Sequence, residues 1–145
     1  MDEARKRRRS RWIEKYLLNA PLRQALRLGL APSTFALLET TGNRSGLPRQ
    51  TPVGNGLDDD TFWLVAEHGR GCAYVRNLLV DPRVRVKTRQ GWRTGVATPL
   101  PDDDGLARRR RIDETHGLGG RFDGRVFVKT ATDPLTIRID LGPRP

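Results

Sequence analysis

The chain has 145 residues, of which 36% are hydrophobic, so it can bury one core but not two. Its formal net charge is +10, and residues 1–30 alone hold nine basic and three acidic side chains. The single cysteine, Cys72, excludes an internal disulfide framework and a cysteine-rich zinc site. There is no apolar region of a signal peptide and no run of membrane-spanning length, which predicts a cytoplasmic protein.

Two helical pieces are predicted near the N-terminus. Apolar residues recur at helical spacing from Ser10 to Leu18, and Pro21 begins a shorter piece that ends at Leu28, before Gly29. We therefore predict a basic arm with an amphipathic helix over residues 1–30 and a separate domain over residues 31–145.

The pattern becomes mainly that of β-strands from Thr34 onward. A helix is predicted over Ala73–Val80, where Asp81-Pro82 ends it, and another from Asp102–Asp104 to about His116. Asn55–Asp60 is predicted to be a hairpin turn. The six predicted strands are Thr34–Thr40, Gln50–Gly54, Thr61–Glu67, Arg83–Thr88, Arg93–Leu100 and Leu135–Leu141. Short antiparallel strands with helices outside indicate a small antiparallel β-barrel with peripheral helices.

The most informative segment is LETTGNRSGLPRQTPV, from Leu38 to Val53. It predicts two strands joined by a turn in which Gly42 and Gly46 let the backbone approach a ligand closely. Arg44 and Arg49 add permanently charged guanidinium groups that match phosphate or carboxylate oxygens. The segment therefore predicts a site for an anionic ligand.

A second informative segment, AEHGRGCAYVRN, runs from Ala66 to Asn77. A strand is predicted to end in a glycine-containing loop that leads into a helix, a junction where backbone N–H groups can face an anion. Tyr74 and Asn77 lie three residues apart on one helix face, where one could pack on a planar ring and the other bond its edge. The alternative is that Tyr74 belongs to the core and that Arg70 and Arg76 are solvated.

The chain shows few groups suited to acid–base catalysis. There is no nucleophile elbow, no paired-carboxylate site and no dinucleotide or phosphate-loop glycine motif. The runs Asp58–Asp60 and Asp102–Asp104 are interpreted as a turn and a helix cap, so no metal site is predicted. No catalytic residue is assigned, and a bound cofactor would have to carry the difficult chemistry.

These segments, followed by GWRTGVATPL at residues 91–100, resemble the deazaflavin-dependent nitroreductases and the related quinone and enone reductases. The resemblance runs from about Phe35 to Leu100 and more faintly to Leu141. It implies a split β-barrel of the flavin-reductase and pyridoxamine-phosphate-oxidase type, with an 8-hydroxy-5-deazaflavin coenzyme (F-420) lying across a groove. It also implies hydride transfer from the reduced coenzyme to a small electron-poor acceptor such as a quinone, an enone or a nitro compound.

The resemblance also assigns roles to residues of this chain. Arg44 and Arg49 would hold the phosphate and acidic tail of the coenzyme, with Ser45 nearby. Thr51 and Pro52 would line the ring pocket, and the loop after the third strand would supply backbone amides. The ring would meet Ala73, Tyr74 and Asn77. The loop residues assigned to the cofactor are Ala66, His68, Gly69, Arg70 and Gly71.

This chain departs from the family pattern in its aromatic residues. Its only tyrosines are Tyr16 and Tyr74, so the tyrosine cluster that lines the substrate pocket of nitro-reducing members is missing. This departure argues against activation of nitro drugs by this chain. Trp12, Tyr16 and Phe122 are unranked candidates for the substrate pocket. The alternatives for the function are an FMN-binding barrel oxidoreductase and a non-catalytic carrier of deazaflavin or of a lipid-like ligand.

The basic run Arg5–Arg9 has three interpretations. It is a solvated tail, a site that gathers the glutamate tail of the coenzyme, or, together with the helix up to residue 18, a peripheral contact with the inner face of an anionic membrane. Nucleic acid is not predicted as a partner, because no motif supports it. A homodimer is expected only by analogy with other split barrels.

Overall fold

The computed structural model describes residues 34–116 and 131–143. The two predicted N-terminal helices, the membrane contact through residues 5–18 and the pocket candidates Trp12, Tyr16 and Phe122 all lie outside the described residues. The division between an arm at 1–30 and a domain at 31–145 therefore stays a prediction.

One antiparallel sheet of seven strands forms the described part of the fold, in the order β2-β1-β5-β6-β7-β4-β3. The strands are β1 (Phe35–Thr41), β2 (Pro48–Gly54), β3 (Leu57–Asp58), β4 (Thr61–Ala66), β5 (Arg83–Thr88), β6 (Gly91–Leu100) and β7 (Leu135–Leu141). A 3₁₀ turn at Gly69–Gly71 leads into helix α1 (Ala73–Val80), and helix α2 spans Gly105–Glu114. The sheet curls into a half-barrel, which confirms the predicted mainly β class with peripheral helices.

The six predicted strands are all present, and within residues 34–116 and 131–143 the prediction missed one strand, β3. This strand lies inside the segment Asn55–Asp60 that was predicted to be a turn, where Leu57 pairs with Phe62 and Asp58 pairs with Thr61. The chain instead reverses more tightly, at Asp59, whose φ of 55° is left-handed. Aspartate tolerates that conformation better than most residues, so the turn needs fewer residues than we predicted.

The core lies on the concave face of the sheet, under α1. Leu38, Phe62 and Ile137 on three strands are fully buried, and Val75 and Leu78 cover them from the helix. The last turn of α1 ends where Asp81 donates its backbone N–H to the carbonyl oxygen of Asn77, just before Pro82, as predicted. Burial of these apolar side chains fixes α1 against the end of β1.

A second, smaller cluster holds α2 against the opposite face. Val65 packs there with Ile112, and the Arg108 guanidinium lies 4.0 Å from the centre of the Trp63 ring. Asp104 caps the helix by accepting the Ala107 N–H at 3.1 Å, as the aspartate run predicted. The sheet therefore packs against α1 on one face and against α2 on the other.

Candidate functional site

A groove of about 750 Å³ lies between the β1–β2 turn, the first half of β2 and helix α1. Its walls come from segments far apart in the sequence, which the pairing of β1 with β2 and the packing of α1 on β1 bring together. The groove is lined by Gly42, Asn43, Arg44, Ser45, Pro48, Arg49, Gln50, Thr51, Ala73, Tyr74 and Asn77. Seven of the thirteen predicted cofactor residues are in this set: Arg44, Ser45, Arg49, Thr51, Ala73, Tyr74 and Asn77.

The turn between β1 and β2, residues 42–47, is called the arginine turn here, and its own hydrogen bonds close it. The Gly42 N–H donates to the Leu47 carbonyl oxygen at 2.8 Å, and the Gly46 N–H donates to the Gly42 carbonyl oxygen at 2.9 Å. Gly46 has a φ of +69°, a left-handed conformation in which a side chain would be strained. The turn therefore has a defined shape although its residues 43–47 are exposed.

Ser45 connects the turn to the second arginine. Its Oγ accepts the Leu47 N–H at 3.2 Å and an N–H from Nη2 of Arg49 at 3.4 Å. A Cβ added to Gly42 would lie 2.7 Å from that Oγ and 3.4 Å from Nε of Arg49. Gly42 thus leaves the space in which the hydroxyl and the guanidinium meet.

The charges of Arg44 and Arg49 are available for a ligand. Neither side chain has a carboxylate within ion-pair distance among the residues that the structure describes, whereas Arg83, Arg85, Arg93, Arg108, Arg109 and Arg138 each have one. Two exposed guanidinium groups on one groove have the charge and donor geometry that match phosphate or carboxylate oxygens.

Gln50 is a groove residue that the sequence analysis missed. Its side chain is hydrogen-bonded to an ion pair between Glu39 and Arg85. Its Nε2 donates to Oε2 of Glu39 at 2.9 Å, and Glu39 in turn accepts two hydrogen bonds from Arg85, at 2.8 and 2.9 Å. The hydrogen bond from Arg85 lowers the pKa of Glu39, and burial opposes this effect. The carboxylate therefore stays ionised and keeps accepting from Gln50.

Helix α1 forms the other wall. Its N-cap residue, Cys72, makes no side-chain capping bond, so the positive end of the helix is not neutralised from that position. Tyr74 is half-buried and lines the groove beside Ala73. The wall therefore offers the aromatic ring of Tyr74 beside the small side chain of Ala73. A planar ligand ring could pack against these two side chains.

Asn77 also lines the groove, but its amide is already engaged by the protein. Oδ1 accepts the backbone N–H of Asn43 at 3.0 Å, and Nδ2 donates to Oγ1 of Thr40 at 3.1 Å. We predicted that this amide would meet the edge of a ring. The structure instead shows it joining α1 to the arginine turn and to β1.

The other six predicted cofactor residues do not line the groove. Ala66 is fully buried in the core, and His68, with 2% exposure, bonds through Nδ1 to Oγ1 of Thr132 at 2.8 Å. Pro52, half-buried on β2 next to Thr51, is not among the residues that line the groove. The remaining three residues, Gly69, Arg70 and Gly71, form the 3₁₀ turn.

That 3₁₀ turn uses backbone amides that we expected to face a ligand. The Gly71 N–H donates to the carbonyl oxygen of His68 at 2.8 Å, and the Cys72 N–H donates to that of Gly69 at 3.1 Å. Gly69 is required for packing instead, since an added Cβ would lie 2.6 Å from Oδ2 of Asp133. The loop leads directly into α1 and does not line the groove.

The sequence analysis missed Asn43, Pro48 and Gln50 as lining residues, and it named Gly42 only for the close approach of its backbone. Each is within two residues of a predicted arginine, so position along the turn was the available signal. A second groove of about 600 Å³ shares Pro48 with the first and contains none of the thirteen predicted residues.

The described residues form neither a metal-binding cluster nor a membrane-spanning helix. Over residues 34–116 and 131–143, no group of three or more His, Cys, Asp or Glu side chains is placed to hold a metal ion. Within the same ranges, no helix has the length and apolar character needed to cross a bilayer.

A curled antiparallel sheet with one helix on each face places the chain among small β-barrel proteins. Residues 8–140 match the family model of the F420H(2)-dependent quinone reductases, and the chain belongs to this family. It is therefore a deazaflavin-dependent reductase, as its motifs predicted. No curated protein sequence shows significant similarity to it.

Solved structures show the same fold. Atu2129 from Agrobacterium tumefaciens, of unknown function, has a TM-score of 0.56 at 23% identity; the match covers 87% of this chain but only 57% of that one. An F420 reductase has a TM-score of 0.56 at 15% identity, with 77% and 88% covered. A domain-swapped dimer has a TM-score of 0.54 at 17% identity, with 90% and 98% covered. The F420 reductase confirms the split-barrel fold.

Proposed function

We propose that the groove binds coenzyme F-420 and that the acceptor of its hydride is a quinone. The observation that carries this proposal is the juxtaposition of Arg44 and Arg49 with the Tyr74 wall of α1 across one groove. The coenzyme combines a planar ring with a phosphodiester and several glutamate carboxylates. A cationic end and an aromatic end in one groove match those two parts.

The dimensions and charges of the groove support this fit. Its volume of about 750 Å³ lies within the range of pockets that hold cofactors. The tail would lie on Arg44 and Arg49, whose guanidinium groups have no carboxylate partner among the described residues. The ring would lie against Ala73 and Tyr74.

The reduced coenzyme supplies the hydride when it is bound. The residues of the chain bind its charged tail, orient its ring and restrict the access of water. The lining consists of guanidinium, amide, hydroxyl and phenol groups. These groups suit binding and orientation, and we assign the proton that the acceptor takes up to solvent.

Titration with the coenzyme tests the binding step. Quenching of tryptophan fluorescence should saturate with F-420 and should show much weaker binding of FMN, which has a phosphate but no glutamate tail. Tighter binding of FMN would overturn the choice of cofactor.

Turnover is tested by anaerobic mixing with reduced F-420 and menadione. The absorbance of oxidised deazaflavin should return, and enones and nitro compounds should react more slowly. Binding of the coenzyme without turnover for any acceptor in such a panel would favour a carrier.

Assembly as a homodimer is a further part of the proposal. A domain-swapped dimer aligned over 90% of this chain supports it. Light scattering of the purified protein should give twice the mass of 16.4 kDa. Contact of residues 5–18 with an anionic membrane stays a prediction, which vesicle sedimentation would test.

A further inference from the structure

The arginine turn meets the body of the protein through a side chain on another element. Its internal hydrogen bonds run from residue to residue within the turn, and residues 43–47 are exposed. The Asn43 N–H reaches out of the turn to Oδ1 of Asn77, 34 residues away in the chain. This bond fixes the backbone immediately before Arg44.

The amide of Asn77 has one orientation that satisfies both of its partners. A backbone N–H is only a donor, so it requires the Oδ1 end, and Nδ2 then donates to Oγ1 of Thr40. Asn77 is 7% exposed and Thr40 is 2% exposed, so water competes little for either bond. The row Asn43–Asn77–Thr40 thus joins the arginine turn, α1 and β1.

From this geometry we propose that Asn77 is a positioning residue, which sets the arginine turn at a fixed place relative to Tyr74. Arg44 follows Asn43 directly, and Tyr74 lies one helical turn before Asn77. The spacing between the cationic end and the aromatic end of the groove therefore depends on this amide as well as on the pairing of β1 with β2. This inference rests on the proposed function, because it specifies how that groove recognises a ligand with both a ring and a charged tail.

The role makes a distinction between two ligands. F-420 needs both ends of the groove in register, whereas 8-hydroxy-5-deazaflavin without its phosphate chain needs only the ring wall. Loss of the amide's orientation should weaken binding of the first ligand and leave the second almost unchanged. If Asn77 instead contacted the ring directly, loss of that contact would weaken binding of both ligands.

Thr40→Val tests this without altering the lining of the groove. Valine has nearly the shape of threonine but cannot accept from Nδ2, and Thr40 is not among the groove's lining residues. Loss of one such hydrogen bond should lower the affinity for F-420 about fivefold. The affinity for the chain-free deazaflavin should change less than about twofold on the same reasoning.

Thr41→Val is the matched control, since this neighbour carries the same side chain and does not line the groove. It should bind both ligands like the wild type. Equal losses for both ligands in Thr40→Val, or no loss for either, would overturn the positioning role. If the wild type binds neither ligand, the proposed function fails, and the next measurement still decides the role of Asn77.

Amide hydrogen exchange supplies a readout that needs no ligand. The Asn43 N–H should exchange faster in Thr40→Val and Asn77→Ala than in the wild type, and Thr41→Val should leave its rate unchanged. An unchanged rate in both test variants would show that Asn77 does not hold the turn.

A double-mutant cycle identifies the partner through which Asn77 acts. If Asn77 acts through Arg44, the losses in affinity from Asn77→Ala and Arg44→Ala should combine to less than their product, because the second change removes what the first has already displaced. Losses that multiply fully would mean that Asn77 contacts the coenzyme independently, which would overturn the proposal.

Discussion

Arginines of this protein occupy two different environments within the described residues. Arg85 is held by two hydrogen bonds to Glu39 and lies 4.5 Å from the centre of the Trp92 ring. Arg93, 4% exposed, donates to Oδ1 of Asp60 and to the carbonyl oxygen of Gly142. Arg44 and Arg49 differ from these in facing a groove with exposed guanidinium groups. The same type of side chain thus stabilises the fold in one place and, in the proposed function, binds a ligand in the other.

Arg44→Ala and Arg49→Ala should each weaken binding of F-420 by about 1–3 kcal/mol, through the loss of charge-assisted hydrogen bonds. Isothermal titration calorimetry would measure the change. Arg83→Ala is the control, because Arg83 bonds to Asp81 and does not line this groove. Unchanged affinity in both test variants would show that these side chains are wrongly assigned.

Gly42→Ala should also weaken binding of the coenzyme, although it removes no charge. The added methyl would displace Oγ of Ser45, at 2.7 Å, and with it the hydrogen bond that orients Arg49. The comparison is Gly46→Ala, whose Cβ meets no atom within 4 Å but takes a φ of +69°. That variant should lose about 1–2 kcal/mol of unfolding free energy from backbone strain.

Fluorescence titration and urea unfolding of the two glycine variants would separate these effects. If Gly46→Ala weakened binding more than Gly42→Ala did, the shape of the turn would matter more than the space beside Ser45.

At the level of elements, the periodicity predicted most of the sheet. Burial alternates only in the second halves of β1 and β7, as a strand with one covered face requires, since Leu37 and Thr136 are buried beside inward-facing neighbours. Helix α1 was predicted with both of its ends. The strand β3 escaped because it has only two residues, too few for a period to appear. The periodic pattern of the sequence therefore predicted each element that was long enough to show at least one full period.

The site was harder to predict than the fold. The arginine turn carries glycines and charges that mark it in the sequence, so Arg44 and Arg49 were found. The loop before α1 also carries glycines, but Gly69 serves a contact with Asp133 that no local pattern shows. The bond from Asn77 to Thr40 spans 37 residues, so only the packed structure could reveal it.

The ion pair that joins β1 to β5 predicts how stability depends on pH. Hydrogen bonding from Arg85 lowers the pKa of Glu39 in the folded protein below its value in the unfolded chain. The stabilisation is therefore fully present above the unfolded pKa, about 4.3, and is lost as the pH falls through the folded pKa. Glu39→Gln should lower stability near neutral pH and flatten its decline in acid.

Urea unfolding between neutral pH and about pH 3 would test this, since that range includes the ordinary pKa of glutamate. Asp58→Asn, which changes an exposed carboxylate on β3, is the control and should keep the steep decline of the wild type. An equally steep decline in Glu39→Gln would mean that the pair does not couple to folding.

For the whole molecule, charge is the dominant property. The formal net charge of +10 attracts an anionic coenzyme before any specific contact forms. The excess is concentrated in residues 1–30, with +6, while the rest of the chain holds +4. Long-range attraction by the net charge and specific contacts in the groove are therefore separable contributions to binding of the coenzyme.

Binding of F-420 should weaken as salt is added, and binding of the chain-free deazaflavin should hardly change. At about 1 M salt the Debye length is about 3 Å, so only contacts as close as those of Arg44 and Arg49 would persist. Stopped-flow fluorescence would show the loss mainly in the association rate. Equal salt dependence for the two ligands would contradict this account.

The position of β2 at the rim of the sheet has an evolutionary consequence. Among the described residues β2 is paired with β1 on one side only, and the exposed turn at its start is joined to α1 by the amide of Asn77. Exposed side chains of this turn can therefore change with little effect on the packed core, whereas Gly42 and Gly46 cannot be replaced without strain or displacement. Preference for longer or shorter coenzyme tails is thus a trait that can drift while the barrel beneath it is conserved.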